Sequence, residues 1–184
     1  MSVCMDEGAT LLLAAVMAAP PRAGETRVLA IDGRSGSGKS TLAGQVAATL
    51  SAPCVSLEQL YGGWSGLRAG IDRLVSAVLL PLAEGRPAEV PRYDWVSEVW
   101  LDPEALMAPP VLIVEGVGAG ALTAAPYLSL LAWVELPGES RRARAMARDG
   151  ALYEGHWEMW SEQEEEYLRT DHPEQRADLL IAAS

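Results

Sequence analysis

The chain has 184 residues and a formal net charge of −11 at pH 7. This length is typical of one domain, so we expect residues 1–184 to form a single domain. The acidic balance disfavours a nucleic-acid-binding protein, because such proteins neutralise many phosphates with basic side chains. Two cysteines cannot form a framework of several disulfides, and the composition therefore favours a protein of the reducing cytoplasm.

The first predicted element is an apolar run, LLLAAVMAAPPRA at residues 11–23. A signal peptide that ends in small residues has a similar composition, but here Asp6 and Glu7 precede the run and no positive charge does. We therefore predict that residues 1–24 contain a helix packed on the domain, with export as the less favoured alternative. No membrane partner is expected.

The next elements form a strand, a loop and a helix in direct succession. RVLAID at residues 27–32 predicts a buried strand, and TLAGQVAATL at residues 41–50 predicts a helix. Between them, GRSGSGKS fits the G-x-x-x-x-G-K-[ST] spacing of a phosphate-binding P-loop. Glycines let consecutive N–H groups converge on phosphate oxygens, and the helix N-terminus favours the same anion. The predicted nucleotide-binding residues are Gly33, Ser35, Gly36, Ser37, Gly38, Lys39, Ser40 and Thr41.

Two of these side chains have separate predicted roles. Lys39, the only lysine in the chain, is expected to reach the outer phosphates as a catalytic residue. The Ser40 hydroxyl is the expected ligand of a magnesium ion. A Gly/Ser linker that fits the spacing by chance is the alternative, and the order of strand, loop and helix disfavours it.

The remaining pattern alternates strands with helical stretches. Such alternation implies βαβ units and a doubly wound parallel sheet of the α/β class. Pro87 and Pro91 are predicted to bracket a loop that carries RYDW. The predicted strands are PCVSL at 53–57, PPVLIVEG at 109–116, LSLLAWVEL at 128–136 and ADLLIAA at 177–183, and a predicted helix ends near Gly85.

Two carboxylates follow predicted strands, at the sheet edge where ligands bind in such folds. Glu115 ends VLIVE and is expected to hold magnesium directly or through water; the alternative is an ordinary charge in solvent. Glu58 follows the strand at 53–57 and is placed to accept the proton of a hydroxyl group. Its alternative role is a carboxylate that only stabilises a helix dipole.

An arginine-rich helical stretch begins near residue 139. Arg141, Arg144 and Arg148 share one face of a helix by their spacing, and Arg142 lies beside them. This face is expected to close over phosphates as a lid, with Arg144 and Arg148 as catalytic cations. A solvated charged face is the alternative.

The acidic stretch that follows the lid is expected to be a solvated helix face between residues 154 and 174. Trp157 and Trp160 within it favour core packing over a binding role. Tyr61 and Trp95 stand nearer the expected site, so a pocket for a flat ring and simple packing remain equal alternatives for them.

The ordered set RVLAIDGRSGSGKSTLA, LEQLYGGW, RYDW, VLIVEGV, RRARAMARDG and ADLLI resembles the uridine kinase and nucleoside-kinase-like branch of P-loop kinases over almost the whole chain. The resemblance implies a five-stranded parallel sheet, a lid with its following helix over about residues 139–170, and ATP with Mg²⁺ as donor. It also implies an acceptor pocket with Tyr93 and Asp94. This chain carries Glu58 where the family usually has a catalytic Asp.

The sequence therefore predicts a kinase that moves the γ-phosphate of ATP to a hydroxyl of a nucleoside-like small molecule. The predicted acceptor-binding residues are Tyr61, Tyr93, Asp94 and Trp95. A homo-oligomer is left open. The alternatives are a nucleotide-dependent ATPase or switch, and a kinase-fold protein that binds nucleotide without transferring phosphate.

Overall fold

The computed structural model describes residues 3–141, 143, 144, 147 and 155–183. Within these residues, the helices with both ends described are α1 (Met5–Ala18), α2 (Lys39–Leu50), α3 (Leu67–Arg73), α4 (Leu80–Ala83), α5 (Trp157–Asp171) and α6 (Pro173–Arg176). The strands are β1 (Val3–Cys4), β2 (Arg27–Asp32), β3 (Cys54–Ser56), β4 (Ala88–Asp94), β5 (Val99–Leu106), β6 (Val111–Glu115), β7 (Leu130–Glu135) and β8 (Leu179–Ala182). A π-helical segment, Leu74–Leu79, joins α3 to α4.

Six strands form the main sheet in the order β1-β8-β7-β2-β6-β3, and every neighbouring pair is parallel. The predicted five-stranded parallel sheet is confirmed, and the two-residue β1 extends it beside β8. Glu115 pairs in register with Ile31 of β2 and with Ser56 of β3. The carboxyl ends of β2, β3 and β6 therefore meet at one edge of the sheet.

The central strand β2 is buried on both faces, as expected of a parallel sheet covered by helices. Val28 and Ala30 pack into the core beneath α3, the π-helical segment and the hairpin, while Leu29 and Ile31 pack beneath α1 and α2. This alternation follows from the two-residue period of a strand. Each large apolar side chain buried in this way contributes about 1.5–3 kcal/mol.

The predicted N-terminal helix is α1, which packs on the sheet. Leu12 and Val16 are fully buried in the core beside Ile181 of β8. Gly8 lies over the same isoleucine, where an added Cβ would come within 3.0 Å of its Cγ2 atom. Across the described residues, no helix is both long and apolar enough to span a bilayer.

The predicted loop between Pro87 and Pro91 is wrong. β4 and β5 form an antiparallel hairpin apart from the main sheet. The register shifts between Val90 and Arg92, so Pro91 falls at the irregularity of the ladder. Proline lacks a backbone N–H and is tolerated at such a bulge, which reconciles it with a strand.

Candidate active site

The P-loop runs from the end of β2 to the start of α2. Gly36 and Gly38 have φ angles of 78° and 99°, in the left-handed region that favours glycine. An added Cβ on Gly36 would collide with the backbone carbonyl of Arg141, so the lid segment begins directly against the loop. The sequence folds into this cradle because glycine is the residue that fits its turns.

Lys39 and Ser37 are the buried polar side chains of the loop. Lys39 is only 7% exposed, and its Nζ donates a hydrogen bond to the carbonyl oxygen of Arg34 at 3.0 Å. Within the described part of the chain, the buried Ser37 hydroxyl has no hydrogen-bond partner. Buried polar groups are nearly always hydrogen-bonded, so this unpartnered hydroxyl is an exception.

Ser40 and Glu115 form the pair that suits a magnesium ion. The Ser40 Oγ donates to Glu115 Oε2 at 3.0 Å, and Glu115 is 5% exposed. Hydroxyl and carboxylate oxygens are the hard ligands that Mg²⁺ takes, usually together with waters and substrate phosphates. No cluster of three or more His, Cys, Asp or Glu that could hold a metal occurs among the residues described. The pair therefore fits an ion shared with a phosphate.

One cavity of about 370 Å³ brings most of the predicted catalytic residues together. Its walls come from the P-loop, the turn after β3, the end of β6 and the lid segment. The predicted residues that line it are Ser35, Gly36, Gly38, Lys39, Ser40, Thr41, Glu58, Tyr61, Glu115 and Arg144. Tyr93, Asp94 and Trp95 are not among the described residues that line this cavity.

The lid is described only in part. Arg144 is exposed and lines the cavity. Arg141 is half-buried and its Nε donates to the carbonyl oxygen of Leu136 at 3.0 Å, so its guanidinium is engaged with backbone. Arg142 and Arg148 lie outside the described residues.

Glu58 lies in a 3₁₀ turn, Leu57–Gln59, immediately after β3. Its backbone N–H donates to Ser56 Oγ at 3.4 Å, which fixes the start of the turn. Its carbonyl oxygen accepts a bond from Trp95 Nε1 at 2.9 Å. Trp95 therefore connects the hairpin to the backbone that carries the proposed base.

Tyr61 forms a buried wall of the cavity. It is 2% exposed, and its hydroxyl donates to the carbonyl oxygen of Val117 at 2.8 Å. Its ring meets Trp160 edge to face, with centroids 4.8 Å apart. Burial raises the pKa of Tyr61 well above its usual value, so the hydroxyl stays protonated.

Tyr93 and Asp94 lie on the hairpin. The Tyr93 ring packs against Trp95 and Trp100 with centroids 5.5 and 5.2 Å away. Asp94 accepts bonds from the Val96 N–H at 2.9 Å and the Ser97 hydroxyl at 2.6 Å. The Ser97 bond is the main cause that lowers the pKa of Asp94. Both carboxylate oxygens of Asp94 thus stabilise the turn between β4 and β5.

Asp32 was not identified from the sequence. It is fully buried at the end of β2 and accepts bonds from the N–H groups of Gly33, Gly118 and Gly120 and from the Tyr167 hydroxyl. Burial raises the pKa of Asp32, although these bonds oppose the shift. The signal in the sequence is an acidic residue in an apolar strand directly before the P-loop.

Glu164 corrects the interpretation of the acidic stretch as a solvated face. It is 3% exposed, and its Oε1 accepts from the backbone N–H of Ser35 at 2.9 Å. Asp171 is also buried, while Glu165 and Glu166 are exposed as predicted. Glu164 follows buried Trp160 by four residues, so it belongs to the buried stripe of the helix.

No protein-family model matches the chain, and no curated protein matches it in sequence. A solved structure described as a possible uridine kinase from Bacillus stearothermophilus is 21% identical, with 96% of this chain and 98% of that chain covered at a TM-score of 0.69. A candidate fructose transport system kinase from Silicibacter sp. TM1040 is 22% identical, with coverage of 94% and 97% and a TM-score of 0.61. At this identity the likeness concerns the fold, and the chain has the P-loop kinase fold.

Proposed function

We propose that the protein is a small-molecule kinase that transfers the γ-phosphate of ATP to a hydroxyl group. The observation that carries the proposal is the single cavity shared by Lys39, the Ser40–Glu115 pair and Glu58. Phosphoryl transfer is mainly positioning and charge stabilisation, and it needs a phosphate cradle, a metal, a cation and a group that orients the acceptor. Each part has a residue in this cavity.

On the donor side, the P-loop N–H groups and the N-terminus of α2 bind the phosphates of ATP. Lys39 reaches the outer phosphates and stabilises the charge that develops during transfer. Ser40 and Glu115 hold Mg²⁺, which when bound neutralises charge on the phosphates. Arg144 adds positive charge over the same region, and we propose from the lid sequence that Arg148 assists it.

On the acceptor side, Glu58 orients the hydroxyl group and accepts its proton at a carboxylate oxygen. The buried Tyr61 forms part of the wall of the same cavity. Tyr93, Asp94 and Trp95 belong to a hairpin that Trp95 ties to the backbone of Glu58, which suits a wall of the acceptor pocket. Aromatic rings at this wall favour an acceptor with a flat ring, and the resemblance to nucleoside kinases favours a nucleoside-like molecule. A cytoplasmic location fits the use of ATP.

The test is ADP release from Mg·ATP, measured with the full chain against a panel of nucleosides, sugars and other hydroxyl metabolites. Release stimulated by one acceptor supports the kinase proposal, and the phosphorylated product identifies the acceptor. Release that no acceptor changes indicates an ATPase or switch. Tight nucleotide binding without release indicates a kinase-fold protein without transfer activity.

A further inference from the structure

Glu164 is a buried carboxylate of α5 that contacts the P-loop. It is 3% exposed, although the helix around it is acidic. Its Oε1 accepts the Ser35 backbone N–H at 2.9 Å and the Ser35 hydroxyl at 2.5 Å. A buried charge is costly unless it is hydrogen-bonded, so the position of Glu164 depends on these contacts.

Trp160 completes the contact from one turn earlier in α5. Its Nε1 donates both to Ser35 Oγ at 2.8 Å and to Glu164 Oε1 at 2.9 Å. The Ser35 hydroxyl is therefore fixed from two sides, as a donor to the carboxylate and as an acceptor from the indole. Bonds to an ionised acceptor are roughly twice as strong as neutral ones.

Two further residues of α5 bind the same segment of the chain. Arg34 Nη1 donates to Glu165 at 2.5 Å, and the Tyr167 hydroxyl donates to Asp32 at 2.5 Å. The helix thus contacts three of the four residues from Asp32 to Ser35. This segment carries the chain from β2 into the phosphate cradle.

A phosphate cradle binds best when its N–H groups are already ordered, because binding then costs less conformational entropy. The glycines at positions 36 and 38 give the loop freedom that some other contact must restrict. Fixing the backbone of one residue is equivalent to about tenfold in affinity. Glu164 restricts the loop just before those glycines.

We propose that Glu164 is a positioning residue of the nucleotide site, acting through Ser35 to hold the tip of the P-loop in its binding conformation. The proposal rests on the proposed function in taking this loop as the nucleotide site. It makes α5, the helix that follows the lid segment, a part of the donor side.

A second physical effect acts with the opposite sign. A carboxylate beside the phosphates repels them, so removing its charge strengthens nucleotide binding if repulsion dominates. If positioning dominates, removing the charge weakens binding. The sign of the change in affinity therefore distinguishes a positioning residue from a bystander charge.

The experiment measures equilibrium binding of Mg·ADP to the full chain. We expect Glu164→Gln to weaken binding about tenfold, because all three bonds go to Oε1 and a neutral amide oxygen in its place accepts them more weakly than a carboxylate does. Glu164→Asp keeps the charge and loses reach, and it should weaken binding at least as much. The matched control is Glu166→Gln on the exposed face of α5, which should change binding less than twofold.

Steady-state kinetics distinguish a positioning role of Glu164 from general disruption of the site. At saturating Mg·ATP, Glu164→Gln should leave the KM for the acceptor unchanged. A partly unfolded site would change the KM for the acceptor as well as the affinity for nucleotide. Equal or tighter Mg·ADP binding by Glu164→Gln overturns the proposal, and so does an equal loss in Glu166→Gln. Should Glu164→Gln fail to fold, Ser35→Ala replaces it, with about threefold weaker binding expected and unchanged binding overturning the proposal.

The outcomes also separate this inference from the proposed function. If the wild-type chain binds Mg·ADP but phosphorylates no acceptor, the kinase proposal fails while Glu164 is still tested by binding. If acceptors are phosphorylated and Glu164→Gln binds Mg·ADP normally, the kinase proposal stands and the role of Glu164 is refuted.

Discussion

The proposed donor side and the proposed acceptor side of the site are built in different ways. The donor side comprises the P-loop, the end of β6 and the residues of α5 that contact the loop. Four of its charged side chains, Asp32, Lys39, Glu115 and Glu164, are each at most 7% exposed. The proposed acceptor side comprises Leu57–Gln59, from which Glu58 lines the cavity, and the hairpin β4–β5, whose aromatic rings lie nearer the surface and are not among the described residues that line the cavity.

This difference indicates where the site is rigid and where it can adapt. Buried carboxylates on the donor side are held by several hydrogen bonds, and networks of this kind fix one arrangement of the side chains. The hairpin has two strands only, and Trp100 on it is 42% exposed. Two strands alone are marginally stable, so the hairpin depends on its packing, which includes the buried Ala88 and Val90 and the contact of Trp95 with Trp64. We expect changes to residues that contact the transferred phosphate or the reacting hydroxyl to affect kcat, and changes to the hairpin to affect the KM for the acceptor.

The largest effect is expected at Glu58, where the two sides meet. Glu58→Gln should lower kcat by about 10²- to 10⁴-fold, because an amide cannot accept the proton of the hydroxyl group. Nucleotide affinity should stay nearly the same. Steady-state rates and Mg·ADP binding measure the two quantities separately.

Glu58→Asp provides a sharper comparison, since it keeps the charge and withdraws the carboxylate by one methylene. A displacement of about 1 Å can cost on the order of 10²-fold, so we expect the Asp variant to be impaired. Full acceptor-dependent activity of Glu58→Gln would show that this carboxylate is not the base, and Asp94 would be tested next.

The next effect is expected at Lys39 on the donor side. Lys39→Ala should lower kcat on the order of 10²- to 10³-fold, because the ammonium stabilises charge on the transferring group and the chain has no second lysine. Thermal unfolding should confirm an intact fold. Arg86→Ala, which removes a surface ion pair with Glu84, is the control for loss of one positive charge. A near-normal rate in Lys39→Ala would remove the P-loop from the mechanism.

Glu115→Gln should raise the magnesium concentration needed for half-maximal rate, on the order of tenfold to 100-fold. The amide keeps the size of the side chain and can still accept the Ser40 bond, so only the charge is lost. Titration of the rate with magnesium checks this. Glu104→Gln on exposed β5 should not change the requirement, and an unchanged requirement in Glu115→Gln would make Glu115 a bystander.

Tyr93→Ala tests the acceptor side. Loss of the ring contacts with Trp95 and Trp100 should raise the KM for the acceptor by about tenfold and leave kcat within about twofold. Asp94→Ala should also raise the KM for the acceptor. The variant Asp94→Asn tests whether this effect arises from the turn that Asp94 stabilises. If Asn, which can still accept the Val96 N–H, restores the KM, then Asp94 acts by holding the turn. A fall in kcat alone would contradict the division between the two sides.

The smallest effect is expected at Tyr167, which donates to Asp32. Tyr167→Phe should lower the free energy of unfolding by about 1–2 kcal/mol, because a buried carboxylate loses one donor. Burial raises the pKa of Asp32 above 3.8 and the Tyr167 bond opposes this, so the variant should raise that pKa further. Stability from a raised carboxyl pKa is present at low pH and lost as pH rises through the folded pKa. The variant should therefore be less destabilised near about pH 4 than at about pH 7 in denaturant titrations, and a pH-independent loss would contradict this.

The sequence by itself determined the donor loop and the parallel strands. GRSGSGKS carries its geometry locally, because glycines permit its turns whatever surrounds them. The apolar runs of β2, β6 and β7 predicted these strands, because a strand that is buried on both faces is apolar along almost its whole length. Glu115 accepts a hydrogen bond from Ser40 because the ends of parallel strands share one edge, and the role of the two residues as magnesium ligands stays a prediction.

Tertiary structure decided the rest, because the deciding contacts join residues far apart in the chain. Glu164 lies 129 positions from Ser35, and the exposed acids Glu162, Glu165 and Glu166 around it in the sequence favoured a solvated face. The hairpin depends on pairing between β4 and β5, which overrides the local preference of Pro91 for a loop. Asp94 resembles a substrate ligand in the sequence, yet its oxygens bind the turn that only the paired strands create. The residues of the P-loop itself determine the conformation of the phosphate cradle, whereas packing between distant parts of the chain determines which carboxylates lie around it.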